Sequence, residues 1–509
     1  MLADAILEAL EDESCFSDNR NYAEERLAAF SGKNQLRALT KAIHRTMPEG
    51  IKVALFSTIT RAGAGYAAYR LHRGLLGGSL VAPAFHTTDR SRFWEKGMRV
   101  IHYPSLRHNH WKRLQTSEIS KPNLTMFTLN VPILPNQRLG RWVEDADVIN
   151  IHWSAHFLSI ENIAYLTNLG KPVVLTVRDM FPLAGGCHYF HGCDRWMTDC
   201  KGCPQLVDNF DNYPAKILAA KRRYYNFDNL TMVALSEHSA AIIRRAPMFR
   251  ECRIEVIPNS IETDVFTPRG RAESRRALGL PVNRPIIAYV PSFSSEVKGY
   301  REAAEAFRFL GSIAPDLDPL ILLIGSETPA TEEIHFEKHV LEYIHENDVL
   351  AQAYSAADLV IVPSTEETFS NTTAEAIACG TPVVGFRTGA IPQMVTDGVT
   401  GYCVEVGDVE GFARGIASVL HGADMGEACR AYAEEHLAFG LQARRYEELF
   451  LDLLAERHAS PGKTRHDTPS AFPGITETIL SQLENWVDEP DEPSGEADAP
   501  STDTPATQP

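Results

Sequence analysis

Two rounds of one alternation constrain this chain more than any other feature. Short apolar runs alternate with helical runs, first over residues 51–245 and again over 286–406. In the first round, IKVALF (51–56), DVINIHW (147–153), PVVLTV (172–177) and LTMVALS (230–236) read as strands, and YAAYRLHRGLLG, SIENIAYLTNLG and EHSAAIIRRA as helices. In the second, IIAYV (286–290), LILLIG (320–325), LVIVPS (359–364), TPVVGF (381–386) and GYCVEV (401–406) are the strands, with YREAAEAFRFLGSI a helix. Strands this apolar need cover on both faces, which a parallel sheet flanked by helices supplies. A turn-rich connector, 256–285, separates the rounds, and 509 residues exceed one ordinary core. The expected fold is α/β: two Rossmann-like doubly wound domains, closed by a final helix at about 432–456.

The expected boundaries are a helical N-terminal extension (1–50), an N-terminal domain with a Cys-rich loop at 187–203 (51–262), a C-terminal domain plus final helix (263–458), and a largely disordered acidic tail (459–509). A formal net charge of −17 argues against general binding to nucleic acid. No apolar run reaches the roughly 18–20 residues of a membrane span. The acidic start lacks the pattern of a secretory signal, so a cytoplasmic location with reduced cysteines is expected. One patch runs against the overall charge: Arg107, Lys112 and Arg113 surround Trp111. It suits peripheral contact with the inner face of the plasma membrane or with a lipid-linked acceptor, and equally a solvated loop.

The chemistry concentrates in STEETFSNTTAEAIACGTPVVGF, residues 364–386. The strand before it ends at the carboxyl edge of a sheet, where open α/β sheets bind ligands. A helix starting near Thr372 and Thr373 would offer backbone N–H groups and its dipole to a diphosphate. Glu367 is then placed to meet sugar hydroxyls and Glu375 to accept those of a ribose; the plainer reading is a capped, solvated helix end. Gly63 and Gly65, in RAGAG after the first strand, make either a simple tight turn or a loop facing the same ligand.

EETFSNTTAEAIACGTPVV resembles the E-x7-E signature of retaining glycosyltransferases of family 4, which have the GT-B fold of two facing Rossmann-like domains. VIPNSIETDVFTP is similar to that family's interdomain connector and VPSFSSEVKGYREAAEAF to its Lys-Gly phosphate loop; the likeness covers about 51–455. The resemblance implies that Glu375 holds the ribose and that Glu367 sits by the transferred sugar. It implies too that Phe369, Ser370, Asn371 and Thr372 line the sugar-diphosphate pocket, and that Lys298 neutralises the departing diphosphate. Where the family often carries an arginine five residues before this lysine, the chain has Phe293.

Residues 149–206, with DMFPLAGGCHY and CKGCPQL, resemble a subgroup found in bacterial exopolysaccharide synthesis, including colanic-acid-type transferases. That subgroup usually has His-Asp where this chain has Arg178-Asp179, and its histidine is expected to contact the donor sugar. An arginine there implies either altered donor choice, such as an acidic sugar, or weakened catalysis.

Cys187, Cys193, Cys200 and Cys203 follow the spacing C-x5-C-x6-C-x2-C. Structural zinc, unbridged thiols and disulfides all stay open as readings. The expected function is transfer of a sugar from a UDP- or GDP-sugar to a glycan or lipid-linked acceptor, with retention and with no cofactor for catalysis. No carboxylate nucleophile stands out, so a front-face displacement is expected. The competing reading is a catalytically silent GT-B scaffold that binds a glycan or protein partner.

Overall fold

The computed structural model describes residues 50–60, 62–78, 80–89, 96–101, 127–130, 134–207, 212–290, 296–325, 333–342, 344 and 346–459. The expected N-terminal extension (to residue 49), the basic patch around Trp111, Phe293 and the acidic tail lie outside them.

Two parallel sheets form the molecule. The N-terminal sheet has seven strands in the order β3-β2-β1-β4-β5-β6-β7. They are β1 (Ile51–Phe56), β2 (Val81–Thr87), β3 (Met98–Val100), β4 (Val148–Ile151), β5 (Val173–Thr176), β6 (Leu230–Ala234) and β7 (Arg253–Val256). The C-terminal sheet has six, in the order β10-β9-β8-β11-β12-β13. They are β8 (Ile286–Tyr289), β9 (Leu320–Ile324), β10 (Lys338–Leu341), β11 (Leu359–Val362), β12 (Val383–Phe386) and β13 (Gly401–Val404). Strands β4, β5, β6, β8, β9, β11 and β12 are buried at every position, which is why each reads as a continuous apolar run.

Four strands escape the sequence reading: β2, β3, β7 and β10. The first carries Pro83, the second is three residues long, and the last two are half-exposed edge strands bearing Arg253, Glu255, Lys338 and His339. Polar and proline-bearing strands carry a weak signal.

The end of the fold needs correcting. In place of one final helix at 432–456 there are two, Gly426–His436 and Leu441–Ala459. The break is stapled by the connector: Ile261 N–H donates to Leu437 O at 2.9 Å, and Gly440 turns the chain with φ +91°. The second helix packs on the N-terminal domain, not the C-terminal one. Its Tyr446, Leu449, Phe450, Leu453 and Leu454 share a core with Ile51, Val53, Leu55, Leu71 and Leu75. Those helix positions follow i, i+3, i+4, i+7, i+8 spacing, a stripe that must face a partner. Full burial of each such side chain contributes about 1.5–3 kcal/mol. Among the described residues, no helix is long and apolar enough to cross a membrane.

Candidate active site

Strand β11 ends at Val362 and the chain turns into the helix Asn371–Ala378 through a loop that holds Glu367, while Glu375 lies within the helix itself. Ser370 caps that helix with φ +81°, a left-handed conformation that is costly without glycine. Its Oγ accepts the Thr373 N–H at 3.4 Å. The first N–H groups of a helix have no intrahelical acceptor, and such groups suit an anion.

A second loop meets this one from β8. Thr365 N–H donates to Val297 O at 2.8 Å, and Lys298 Nζ donates to Glu367 Oε1 at 2.6 Å. Burial works against the Lys298 charge, but Glu367 and the nearby Tyr189 more than offset it and raise its pKa above the ordinary lysine value. Burial also pushes the Tyr189 phenol up to about 12. The residue expected by the transferred sugar and the one expected on the diphosphate therefore stand together as an ion pair.

Glu375 lies on the buried face of the helix. Arg70 Nη2 donates to its Oε1 at 3.1 Å, and Tyr354 O–H to its Oε2 at 3.4 Å. Burial raises its pKa, and Arg70 pulls it back down. Phe369 differs from expectation: its ring is 3 % exposed and packs in the core of the C-terminal domain, so it props the loop from behind. Asn371 and Thr372 are half-buried at the helix start.

From the facing domain, the helix Ala62–Leu76 starts earlier than the glycine turn suggested, so Gly63 and Gly65 are first-turn residues. Asn371 Nδ2 donates to Gly63 O at 3.2 Å, which joins the glycine segment to the helix start across the cleft. At Gly65 a Cβ would meet Ile59 O at 2.6 Å, so only glycine fits.

Arg178 is buried and held by protein groups. Its Nη1 donates to Asn259 Oδ1, its Nη2 lies 3.2 Å from His152 Nδ1, and its pKa is lowered to about 10 by burial. Burial, with Arg178 adding to it, holds the His152 imidazole well below its usual range, so that ring is neutral and able to accept. Asn259 Nδ2 in turn donates to Asn371 Oδ1 at 3.1 Å, linking Arg178 to the helix start at one remove. Neighbouring Asp179 is held by Trp153 Nε1 and His188 Nδ1, both at 2.7 Å from Oδ2.

Several residues at this junction went unread in the sequence. Glu366 accepts the backbone N–H groups of Phe190 at 2.9 Å and His191 at 2.6 Å, clamping the Cys-rich loop onto the glutamate loop. Thr368 Oγ1 donates to Arg178 O at 3.0 Å, and Ser236 Oγ donates to Thr368 O at 2.9 Å. Glu366 sits beside Glu367 and had a signal of sorts; Arg70, one of two arginines on its helix, had none.

The four cysteines of the loop are free thiols that line one small cavity with Phe127, Phe190 and Trp196. Burial pushes the thiol of Cys200 up to about 11 and raises those of Cys187 and Cys203. Among the described residues, no three His, Cys, Asp or Glu side chains are placed to hold one metal ion.

Residues 270–436, which contain this loop, the helix and Lys298, match the family described as Glycosyl transferases group 1. The N-acetyl-alpha-D-glucosaminyl L-malate synthase of Bacillus anthracis is 28 % identical over 213 residues, covering 40 % of this chain and 55 % of that one. A D-inositol 3-phosphate glycosyltransferase of Mycobacterium sp. (strain KMS) is 36 % identical over 182 residues, covering 33 % and 39 %. The chain thus spans between 39 % and 55 % of the length of these relatives. The Anabaena protein Alr3699/HepE, solved in complex with UDP and glucose, superposes with a TM-score of 0.53 at 16 % identity, covering 78 % of this chain and 99 % of that one. That likeness establishes the two-domain architecture as GT-B. Residues 270–436, which carry Lys298, Glu367 and Glu375, thus match the glycosyl transferases group 1 family within a chain of GT-B fold.

Proposed function

We propose that this chain is a glycosyltransferase that takes a sugar from a nucleotide-sugar donor and passes it to an acceptor bound from the N-terminal side of the cleft. One observation carries the reading. Lys298 pairs with Glu367 in the loop that follows β11, and that loop leads into the helix carrying Glu375, whose start is strained at Ser370 and faced by Gly63. In this reading the nucleotide diphosphate lies on the helix N–H groups and Lys298, the sugar meets Glu367, and the ribose meets Glu375. A departing diphosphate oxygen takes the acceptor proton, and the protein supplies positioning and charge stabilisation. Retention of configuration and UDP or GDP as the nucleotide follow from the motif resemblance.

Glu375→Gln tests the donor assignment. Calorimetry with UDP and GDP is expected to show about 10–100-fold weaker binding, the scale of lost hydrogen bonds to a charged group. Ribose binding needs the carboxylate. Because the Glu375 pKa is raised, wild-type affinity should be full at neutral pH and fall on acidification sooner than an ordinary glutamate would allow. Unchanged binding in the variant would remove Glu375 from the site.

For the acceptor, the likeness of residues 149–206 points to a glycan or lipid-linked glycan of bacterial exopolysaccharide synthesis, whereas the relatives' names carry malate and inositol 3-phosphate. An acceptor panel with one radiolabelled donor separates these. At Arg178 the proposal is altered donor choice: Arg178→His is expected to shift the order of preference in a donor screen, and an unchanged order would refute it. The silent-scaffold reading draws on one observation, that Lys298 and Glu375 already have protein partners. Nucleotide binding with neither transfer nor donor hydrolysis would favour it. A structural zinc on Cys187, Cys193, Cys200 and Cys203 is a separate proposal that requires the thiols to turn toward one point; a folded, metal-free protein would refute it.

A further inference from the structure

The nucleotide site proposed above is drawn from the C-terminal domain, yet the cation that pairs with Glu375 comes from the other one. Arg70 sits on the helix Ala62–Leu76 with its side chain wholly buried. Its Nε donates to Glu262 of the connector at 2.7 Å and its Nη2 to Glu375 at 3.1 Å. Tyr66 stacks under the guanidinium at 4.4 Å from its ring centre and donates to Glu262 at 3.3 Å. Among the described residues, Arg70 Nη1 is buried with no acceptor.

A buried guanidinium donor left unpaired beside a carboxylate is costly. A vicinal diol resolves it. Each hydroxyl can donate to the carboxylate while its oxygen lone pairs accept from the guanidinium. A protein acceptor or a carboxylate ligand would satisfy only the arginine, leaving Glu375 with no donor beyond those it has.

Resting on the ribose reading of Glu375, we infer that Arg70 is a nucleotide-binding residue contributed by the N-terminal domain, which clamps the ribose diol jointly with Glu375. Each domain holds half of the clamp. The nucleotide therefore binds fully only when the two domains are closed, with Glu262 fixing the arginine from the connector between them.

The test is discrimination between ribose and deoxyribose, which an arginine serving only the stability of the fold would leave unchanged. Calorimetry compares UDP with 2′-deoxy-UDP, and GDP with 2′-deoxy-GDP, on wild type, Arg70→Gln and Arg70→Lys. The lysine variant keeps a buried cation between the two glutamates, and circular dichroism checks that each variant is folded. Wild type is expected to favour the ribonucleotide about tenfold, and the variants to lose most of that preference. Full preference in either folded variant overturns the inference. So does tighter binding of both nucleotide forms in the variants, which would make Arg70 a competitor for Glu375. Absence of any preference in wild type, with affinity intact, would instead refute the ribose assignment of Glu375 itself.

Discussion

Lys298→Ala is expected to lower turnover by about 10²–10³-fold, with a much smaller change in the affinity for the donor. In the proposed reaction, charge on the diphosphate grows as the glycosidic bond breaks, so a fixed cation placed there would act more strongly on the transition state than on the bound donor. The lysine is well prepared for that part. Its ammonium is tied to Glu367 at 2.6 Å, its pKa lies above the ordinary value, and its side chain is only 27 % exposed. It stays charged through the working pH range, and the low local polarity strengthens its field. Single-turnover transfer from a radiolabelled nucleotide sugar reads the effect directly. A variant that turns over like wild type would take Lys298 out of the chemistry, and Lys298→Arg, which keeps charge but not shape, should fall between the two.

Gly299→Ala should be the most destabilising single change in this loop. Gly299 has φ +70°, and a Cβ on it would lie 1.7 Å from Pro363 O. No rotamer relieves that clash, because both atoms belong to main chain or Cβ. Backbone has to move, at a cost of at least about 3 kcal/mol. For a domain of about 200 residues that lowers the thermal midpoint by about 6–12 °C. The close approach is what seats the Lys298 turn against the end of β11, so catalysis should fall together with stability. A thermal melt within a degree of wild type would show that the approach is not required.

The legible part of this protein is the part encoded over short stretches. Tyr300–Ile313 appears as a helix over the run read from its apolar spacing, and the strands buried on both faces appear where continuous apolar runs stand. The glutamate loop was legible because its strand, loop and helix are contiguous, so 367 and 375 keep a fixed geometric relation whatever surrounds them. Phe369 shows the limit of that logic. Its place in the motif suggested the pocket, but an aromatic ring with apolar neighbours on the sheet side gains more by joining the core.

Local patterning, then, determined by itself two α/β units, their strands of doubly buried residues, and a carboxylate pair at the edge of the second. Hydrogen bonds and side-chain periods act over a few residues, and those are written consecutively. The tertiary structure alone decided how the two units meet. Arg70 reaches Glu262 across 192 positions and Glu375 across 305, and Glu366 finds the Phe190 N–H across 176. The last helix crosses back to the first domain to bury a stripe whose partner lies some 400 residues earlier. Charges that pair at such separations carry no periodicity, because nothing about the spacing of the partners along the chain constrains their distance in space.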